Sequence, residues 1–232
     1  MDIRGKVVLV TGANRGLGKA FVTALLEGGA AKVYAGARNP SSVNIPGSTP
    51  IALDITDPAS VQRAAEQASD VSVVINNAGF LKYGSLLAED SVENLQQHLE
   101  VNTFGTLRVS RAFAPILAKQ GGGALINVLS VLSWLSPPGA GGYSASKSAQ
   151  WGLTNGLRGE LREQGTLVIG VHPAYIDTDM VADVQAPKST PQEVVALTLQ
   201  ALSEDREEVL VSDTSHGVKA SLSSDSPVYL NR

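Results

Sequence analysis

The chain has 232 residues, 43% of them hydrophobic, with a formal net charge of −4 and no cysteine. One domain over residues 1–232 would bury about 70% of its unfolded surface, and no linker composition divides the chain. Disulfides and thiolate metal sites are excluded, His98, His172 and His216 lack metal-ligand spacing, and no basic stripe invites nucleic acid or an anionic membrane.

The first element is Val7–Val10, a β-branched run of the kind buried in a parallel sheet. It leads into Gly12-Ala-Asn14-Arg15-Gly16-Leu17-Gly18 and then a helical pattern from Lys19 to Glu27. Gly12 permits a tight turn, Gly16 lets backbone approach a pyrophosphate, and Gly18 allows close helix packing, with helix N–H donors beyond. Taken alone, the same glycines also suit a strand-to-helix turn that holds no ligand. Further strand candidates are Lys32–Ala35, Thr49–Leu53, Val71–Ile75, Ala124–Leu129, Val168–His172 and Glu208–Val211. Helical patterns separate most of them. This alternation predicts a Rossmann-like, doubly wound α/β fold: a parallel sheet of seven strands with helices on both faces, in three layers.

Local signals mark the helix starts. Asp57-Pro58 places an N-cap acid before a first-turn proline, and Thr190-Pro-Gln-Glu193 reads as a capping box. Ligands of such sheets bind beyond the carboxyl ends of the strands, where strand order reverses. The segments at Gly12, Asp54, Asn76, Ser130 and Pro173 all follow strand candidates and are expected to converge there. The second strand ends at Gly36-Ala37-Arg38, and no acid occurs between Gly28 and Leu53 to hold a ribose 2′-hydroxyl. Arg38 and Arg15 can instead clamp a 2′-phosphate, which favours NADP(H) over NAD(H), although Arg38 also reads as a solvated strand-end charge and Arg15 as a surface loop residue.

Tyr143 and Lys147 stand four residues apart, on one face of whatever helix carries them. A cation beside a phenol favours the phenolate and makes the pair an acid/base device, although an exposed helix face explains the spacing equally well.

Together, Thr11-Gly12-x-x-x-Gly16-x-Gly18, Asp54, Asn76-Asn77-Ala78-Gly79, Asn102, Ser130 and Tyr143-x-x-x-Lys147 resemble the short-chain dehydrogenase/reductase family, in its single-domain branch. The resemblance runs in the family's order from about Lys6 to about Thr178. It implies an NADP-dependent oxidoreductase acting on CH-OH groups, a carbonyl reductase or alcohol dehydrogenase. It implies Tyr143 as the acid, Ser130 as the hydrogen-bond donor to the carbonyl oxygen, Lys147 as the ribose-holding cation that lowers the Tyr143 pKa, and Asn102 as the holder of a relay water. It also implies cofactor contacts at Gly12, Asn14, Arg15, Gly16, Leu17, Gly18, Arg38, Asp54, Ile55, Asn76, Ala78, Gly79, Tyr143, Lys147, Pro173, Ile176 and Thr178. Ala174 stands where the family carries glycine, which puts the local backbone path in question.

Only 11 residues separate Thr178 from Thr190. An open pocket is therefore expected, walled by Phe80, Leu81, Val131 to Leu135, Tyr175 and Met180 and suited to a hydrophobic ketone or aldehyde. Trp134 reads equally as core. The tail from Thr214 to Arg232 lacks the family's glycine-rich ending, which favours a homodimer over a tetramer. His172 reads as a packed residue and His98 as one on a helix face. No run approaches 18 apolar residues and no apolar h-region precedes Lys6, so neither a spanning helix nor a signal peptide is expected, and a cytoplasmic location is. The alternative function is a non-catalytic NADP-binding regulatory or scaffold protein, against which the complete set of four catalytic-type residues argues. An epimerase of the extended branch would need a separate substrate domain.

Overall fold

Side chains alternate between two faces along each strand, and the short apolar strands of this chain use both. In β1 (Val7–Thr11), Val8 and Val10 join one buried cluster while Leu9 joins the other. The same division recurs in β4 (Val73–Asn76), where Val73 and Ile75 oppose Val74, and in β5 (Ala124–Val128), where Ile126 opposes Leu125. A strand apolar on both faces has to be covered twice, and helices supply both covers. The computed structural model describes residues 1–230.

With β2 (Lys32–Ala37), β3 (Thr49–Ala52), β6 (Leu167–His172) and β7 (Glu208–Leu210), these strands form one seven-stranded sheet in the order β3-β2-β1-β4-β5-β6-β7. Every pairing is parallel. Each strand lies on one predicted from the sequence, with ends displaced by at most two residues. The chain runs outward through β1, β2 and β3, then returns to the other side of β1 as β4. Strand order therefore reverses between β1 and β4, and a crevice opens beyond Thr11 and Asn76.

One face of the sheet is covered by α1 (Gly16–Glu27) and α6 (Pro191–Ser203), which bring Phe21, Leu25, Val194 and Leu202 to the cluster holding Val8 and Ile75. The other is covered by α2 (Pro58–Gln67), α4 (Thr106–Lys119) and α5 (Gly141–Glu160), which contribute Val61, Phe113, Leu117 and Leu157. Fully burying one such aliphatic or phenylalanine side chain is worth roughly 1.5–3 kcal/mol. Asp57 accepts from the Ala59 amide to cap α2, and Thr190 and Glu193 form the complete capping box of α6.

Two features lie beyond what the sequence pattern specified. A short α3 (Ser91–His98) continues into α4 through a wide π-helical turn over Leu99–Gly105, which places Asn102 in a bulge within one continuous helix. The tail forms a regular helix, α7 (Asp213–Ser221), followed by a 3-10 turn at Val228–Leu230, and residues 231 and 232 lie outside the described residues. Among the described residues no helix is long and apolar enough to cross a membrane, and no group of three or more His, Cys, Asp or Glu side chains could hold a metal ion.

Candidate active site

The crevice begins at the turn between β1 and α1. Gly12 and Gly16 hold φ of +64° and +51°, the left-handed region that glycine enters without strain. A Cβ on Gly18 would lie 2.1 Å from the Gly12 carbonyl oxygen, so the turn closes only because that side chain is absent. A neighbour braces the turn. Asn77 Nδ2 donates to the carbonyls of Thr11 (2.9 Å) and Gly12 (3.2 Å), and Thr11 Oγ1 accepts from the Asn77 and Ala78 amides at 3.0 and 2.9 Å. The side chains of Asn76 and Asn77 thus serve different ends. Asn76 turns its side chain into the sheet, donating to Asn127 Oδ1 (2.9 Å) and Ser110 Oγ (3.2 Å), whereas Asn77 clamps the turn.

Helix α1 starts at Gly16 with no side-chain cap and no acid in its first turn, unlike α2, α6 and α7, whose N-termini are capped by Asp57, Thr190 and Ser212. Its first amides thus keep free donors and the positive end of the helix dipole. Asn14 lies half-buried in the turn and Leu17 is buried beneath it. Arg15 is exposed and reaches Asp179 Oδ2 at 3.6 Å. Arg38 is exposed past the end of β2, close enough to help lower the Asp54 pKa. Burial would raise that carboxyl, but hydrogen bonds from the Thr56 hydroxyl (2.7 Å) and amide (2.9 Å), with Arg38, hold it below the usual range. Ile55 is buried against Gly105 of the wide turn, where a Cβ would lie 2.6 Å from its Cδ1.

Past β6, Pro173 accepts from the Val131 amide at 2.8 Å, and Ala174 adopts no positive φ, so alanine fits the backbone path there. Ile176 bridges to Ser189, and Thr178 approaches Gly16, its Cγ2 being 3.3 Å from where a Gly16 Cβ would stand. The loop after β6 therefore meets the glycine turn across the crevice.

On the opposite wall stand Ser130, Tyr143 and Lys147. Ser130, just past β5, is buried and its Oγ accepts from the Leu132 amide at 3.1 Å. Helix α5 carries the other two in register, with Lys147 Nζ 5.7 Å from the centre of the Tyr143 ring. Burial pushes the Tyr143 phenol well above its ordinary value, against a smaller downward pull from a hydrogen bond with Ser130. The shift therefore runs opposite to the lowering expected from Lys147. Burial likewise pushes the Lys147 ammonium down to about 7, and Nζ donates to Val128 O and Gln150 Oε1, both at 2.8 Å.

Asn102 is fully buried in the wide turn. Its Oδ1 accepts from the Phe80 amide (2.8 Å), and its Nδ2 donates to Phe80 O and Ser146 Oγ, both at 2.9 Å. Both side-chain amide protons are engaged within the protein, and the side chain pins the Phe80 segment to α5. Gly79, exposed beside it, would carry a Cβ 3.5 Å from Asn102 Oδ1.

His98 is no surface residue. It is buried with its ring 6.0 Å from that of Tyr143 and 5.0 Å from that of Phe80, and its Nε2 accepts from the Lys82 amide at 3.1 Å while Nδ1 bonds Asn94 O at 2.8 Å. That pairing requires the neutral ring protonated on Nδ1, and burial lowers its pKa accordingly. Trp134 is not a pocket wall. It is buried and stacked on His172 at 4.0 Å between ring centres. His172, pushed by burial to about 3, stays neutral, with Nδ1 3.3 Å from Ser130 O. Tyr83, Leu86, Leu87 and Met180 are exposed, Leu86 against Gly141 at the start of α5, and Tyr83 lies within electrostatic reach of both Tyr143 and Tyr175.

Residues 6–189 match the family model described as short chain dehydrogenase. A short chain dehydrogenase from Burkholderia cenocepacia, solved in complex with NADP, superposes with a TM-score of 0.93 at 41% identity, covering 97% of this chain and 95% of that one. Short chain dehydrogenase pigC of Monascus ruber is 35% identical over 78% of this chain, which spans 65% of that relative's length. The 1-deoxy-11-beta-hydroxypentalenate dehydrogenase of Streptomyces exfoliatus is 33% identical over 89% of this chain and 82% of its own.

Proposed function

The chain belongs to the short-chain dehydrogenase family, and from that premise we propose that it is an NADP(H)-dependent carbonyl reductase, reducing hydrophobic ketones or aldehydes and oxidising the matching secondary alcohols. The observation that carries the reading is the meeting of Ser130, Tyr143 and Lys147 on one wall of a crevice whose other wall is a glycine turn at an uncapped helix N-terminus. We take residues 1–232 as one domain, with a short loop over 178–190, acting as a homo-oligomer.

The residues present fit a dinucleotide. The free amides at the start of α1, with Gly12, Asn14, Gly16, Leu17 and Gly18 shaping the turn, suit a pyrophosphate. Arg38, with Arg15, suits a 2′-phosphate. Asp54 and Ile55 would border the adenine, the backbone of Asn76, Ala78 and Gly79 would run along the cofactor, Tyr143 and Lys147 would take the nicotinamide ribose, and Pro173, Ile176 and Thr178 would lie near the carboxamide.

NADPH, when bound, supplies the hydride to the carbonyl carbon. Tyr143 gives its phenolic proton to the carbonyl oxygen as that oxygen becomes a hydroxyl, and burial keeps the phenol protonated across the neutral range, ready to act as an acid. Ser130 Oγ donates to the same oxygen and stabilises the charge developing on it. Lys147 as ammonium stabilises the phenolate left behind. Asn102 and His98 fix the segment from Phe80 to Lys82 and one side of Tyr143, so the acid meets its substrate in one orientation. The exposed Leu86, Leu87 and Met180 favour an apolar substrate body.

The test is NADPH consumption against a panel of aryl and alkyl ketones, for the wild type and Tyr143→Phe. The variant keeps its ring packing and should lose about 10²- to 10⁴-fold in kcat. Equal rates for the two proteins would remove Tyr143 as the acid.

A further inference from the structure

Lys147 faces no carboxylate: it takes part in no salt bridge among the described residues. What holds Nζ in place is a neutral amide. Gln150, one turn further along α5 and fully buried, offers Oε1 at 2.8 Å to Nζ. Its Nε2 donates to Thr106 Oγ1 at 2.8 Å, and Thr106 Oγ1 donates to the Asn102 carbonyl at 2.9 Å.

The direction of this chain is forced by chemistry. A lysine has protons to give, so the amide atom facing an ammonium must be the oxygen. The amide nitrogen must then face Thr106. A hydroxyl receiving that N–H has its own proton free to pass onward, and the Asn102 carbonyl, which can only accept, ends the series. Three hydrogen bonds in a row therefore point away from Lys147, each polarising the next, and the negative end of the whole series rests on Nζ.

We propose that Gln150 is a positioning residue for Lys147: with Thr106 it forms a buried, one-way hydrogen-bond chain to the wide turn at Asn102 that holds Nζ beneath Tyr143 and favours its ammonium form. Val128 O and Gln150 Oε1 occupy two of the three ammonium protons, leaving one for the cleft. An amide of fixed polarity does not conduct protons along the chain, so Gln150 sets the place and charge of the lysine rather than reloading it. The titratable groups facing Lys147 are Tyr143 on its own helix and His172 on β6, and His172 is neutral above about pH 3.

The inference rests on the proposed reading only for the use made of Lys147, and its test needs no turnover. In the cofactor-free protein carrying lysine labelled at Cε, the NMR titration of Lys147, assigned by its loss in Lys147→Arg, is followed in three proteins. Gln150→Glu places a carboxylate on Nζ and should raise the midpoint by about 1 to 3 pH units. Gln150→Met removes an acceptor from the ammonium and should lower it. Should Gln150→Met fail to fold, Thr106→Val breaks the next link and should shift the midpoint in the same direction by less. A residue that merely fills space would change the melting temperature and leave these midpoints together. Coincident titrations of the wild type and the Glu variant overturn the inference, while absence of ketone reduction with normal titration shifts would refute the proposed function alone.

Discussion

Replacing Lys147 with methionine should reshape the pH dependence of stability within one window. The amine titrates near 10.5 in the unfolded chain and at about 7 in the folded one, because burial removes its charge from water. Between those values the unfolded state binds more protons at this site, so stability rises with pH, and the penalty is fully present below about pH 7. The slope is at most about 1.4 kcal/mol per pH unit, or roughly 2–3 kcal/mol from about pH 7.5 to about pH 9.5. His172, lowered to about 3, has completed its own contribution before this window opens. Tyr143, raised by burial, acts with the opposite sign and only as the unfolded phenol ionises near 10. Methionine also leaves Val128 O and Gln150 Oε1 without a donor, at about 1–3 kcal/mol each, but that cost does not vary with pH. The quantity to measure is therefore the difference in unfolding free energy between the cofactor-free variant and wild type, from urea titrations at several pH values. It should move by about 2–3 kcal/mol in favour of the wild type as the pH rises through the window. A flat difference would refute the picture of a buried lysine whose charge burial disfavours.

Arg38→Asp should replace a partner for a 2′-phosphate with a repelling charge that accepts from ribose hydroxyls. The ratio of kcat/KM for NADPH over NADH should fall by about 10- to 100-fold, the worth of one charge-assisted contact, and an unchanged ratio removes Arg38 from cofactor selection. Gly18→Ala puts a methyl 2.1 Å from the Gly12 carbonyl oxygen and 2.6 Å from Asn77 Nδ2, both part of the braced turn. It should cost about 1–3 kcal/mol by thermal or urea unfolding and weaken NADPH binding, and a variant with wild-type stability would show that the turn yields freely.

The sheet was legible because buried parallel strands leave a strong trace: β-branched runs between turn residues, which located all seven strands. The caps at Asp57 and Thr190 were legible for the same kind of reason, since each is a local bond between residues close in sequence. What escaped were single polar residues on helices. His98, Gln150 and Thr106 are each buried, yet within a helical pattern a lone polar residue looks the same whether it faces water or a partner from a distant strand or helix. Asn76 and Asn77 illustrate the limit. They are adjacent, chemically identical and on opposite sides of the strand end, and only the register with Thr11 and Asn127 decides which clamps the turn and which ties the sheet. The direction of the Tyr143 shift failed for a related reason: residue spacing reveals the nearby cation, whereas the loss of water around the phenol depends on everything packed over it.

The wide turn over Leu99–Gly105 gives the continuous helix one residue more than a regular spiral would need there. The half before it is phased to lay His98 against Tyr143, and the half after it is phased to lay Thr106 against Gln150 and Phe113 into the sheet. Without the surplus residue the later half would swing around its axis by about 100 degrees relative to the earlier one, since a regular helix turns once every 3.6 residues. Only one of the two sets of contacts could then survive, so the segment has to keep its length as well as its buried Asn102.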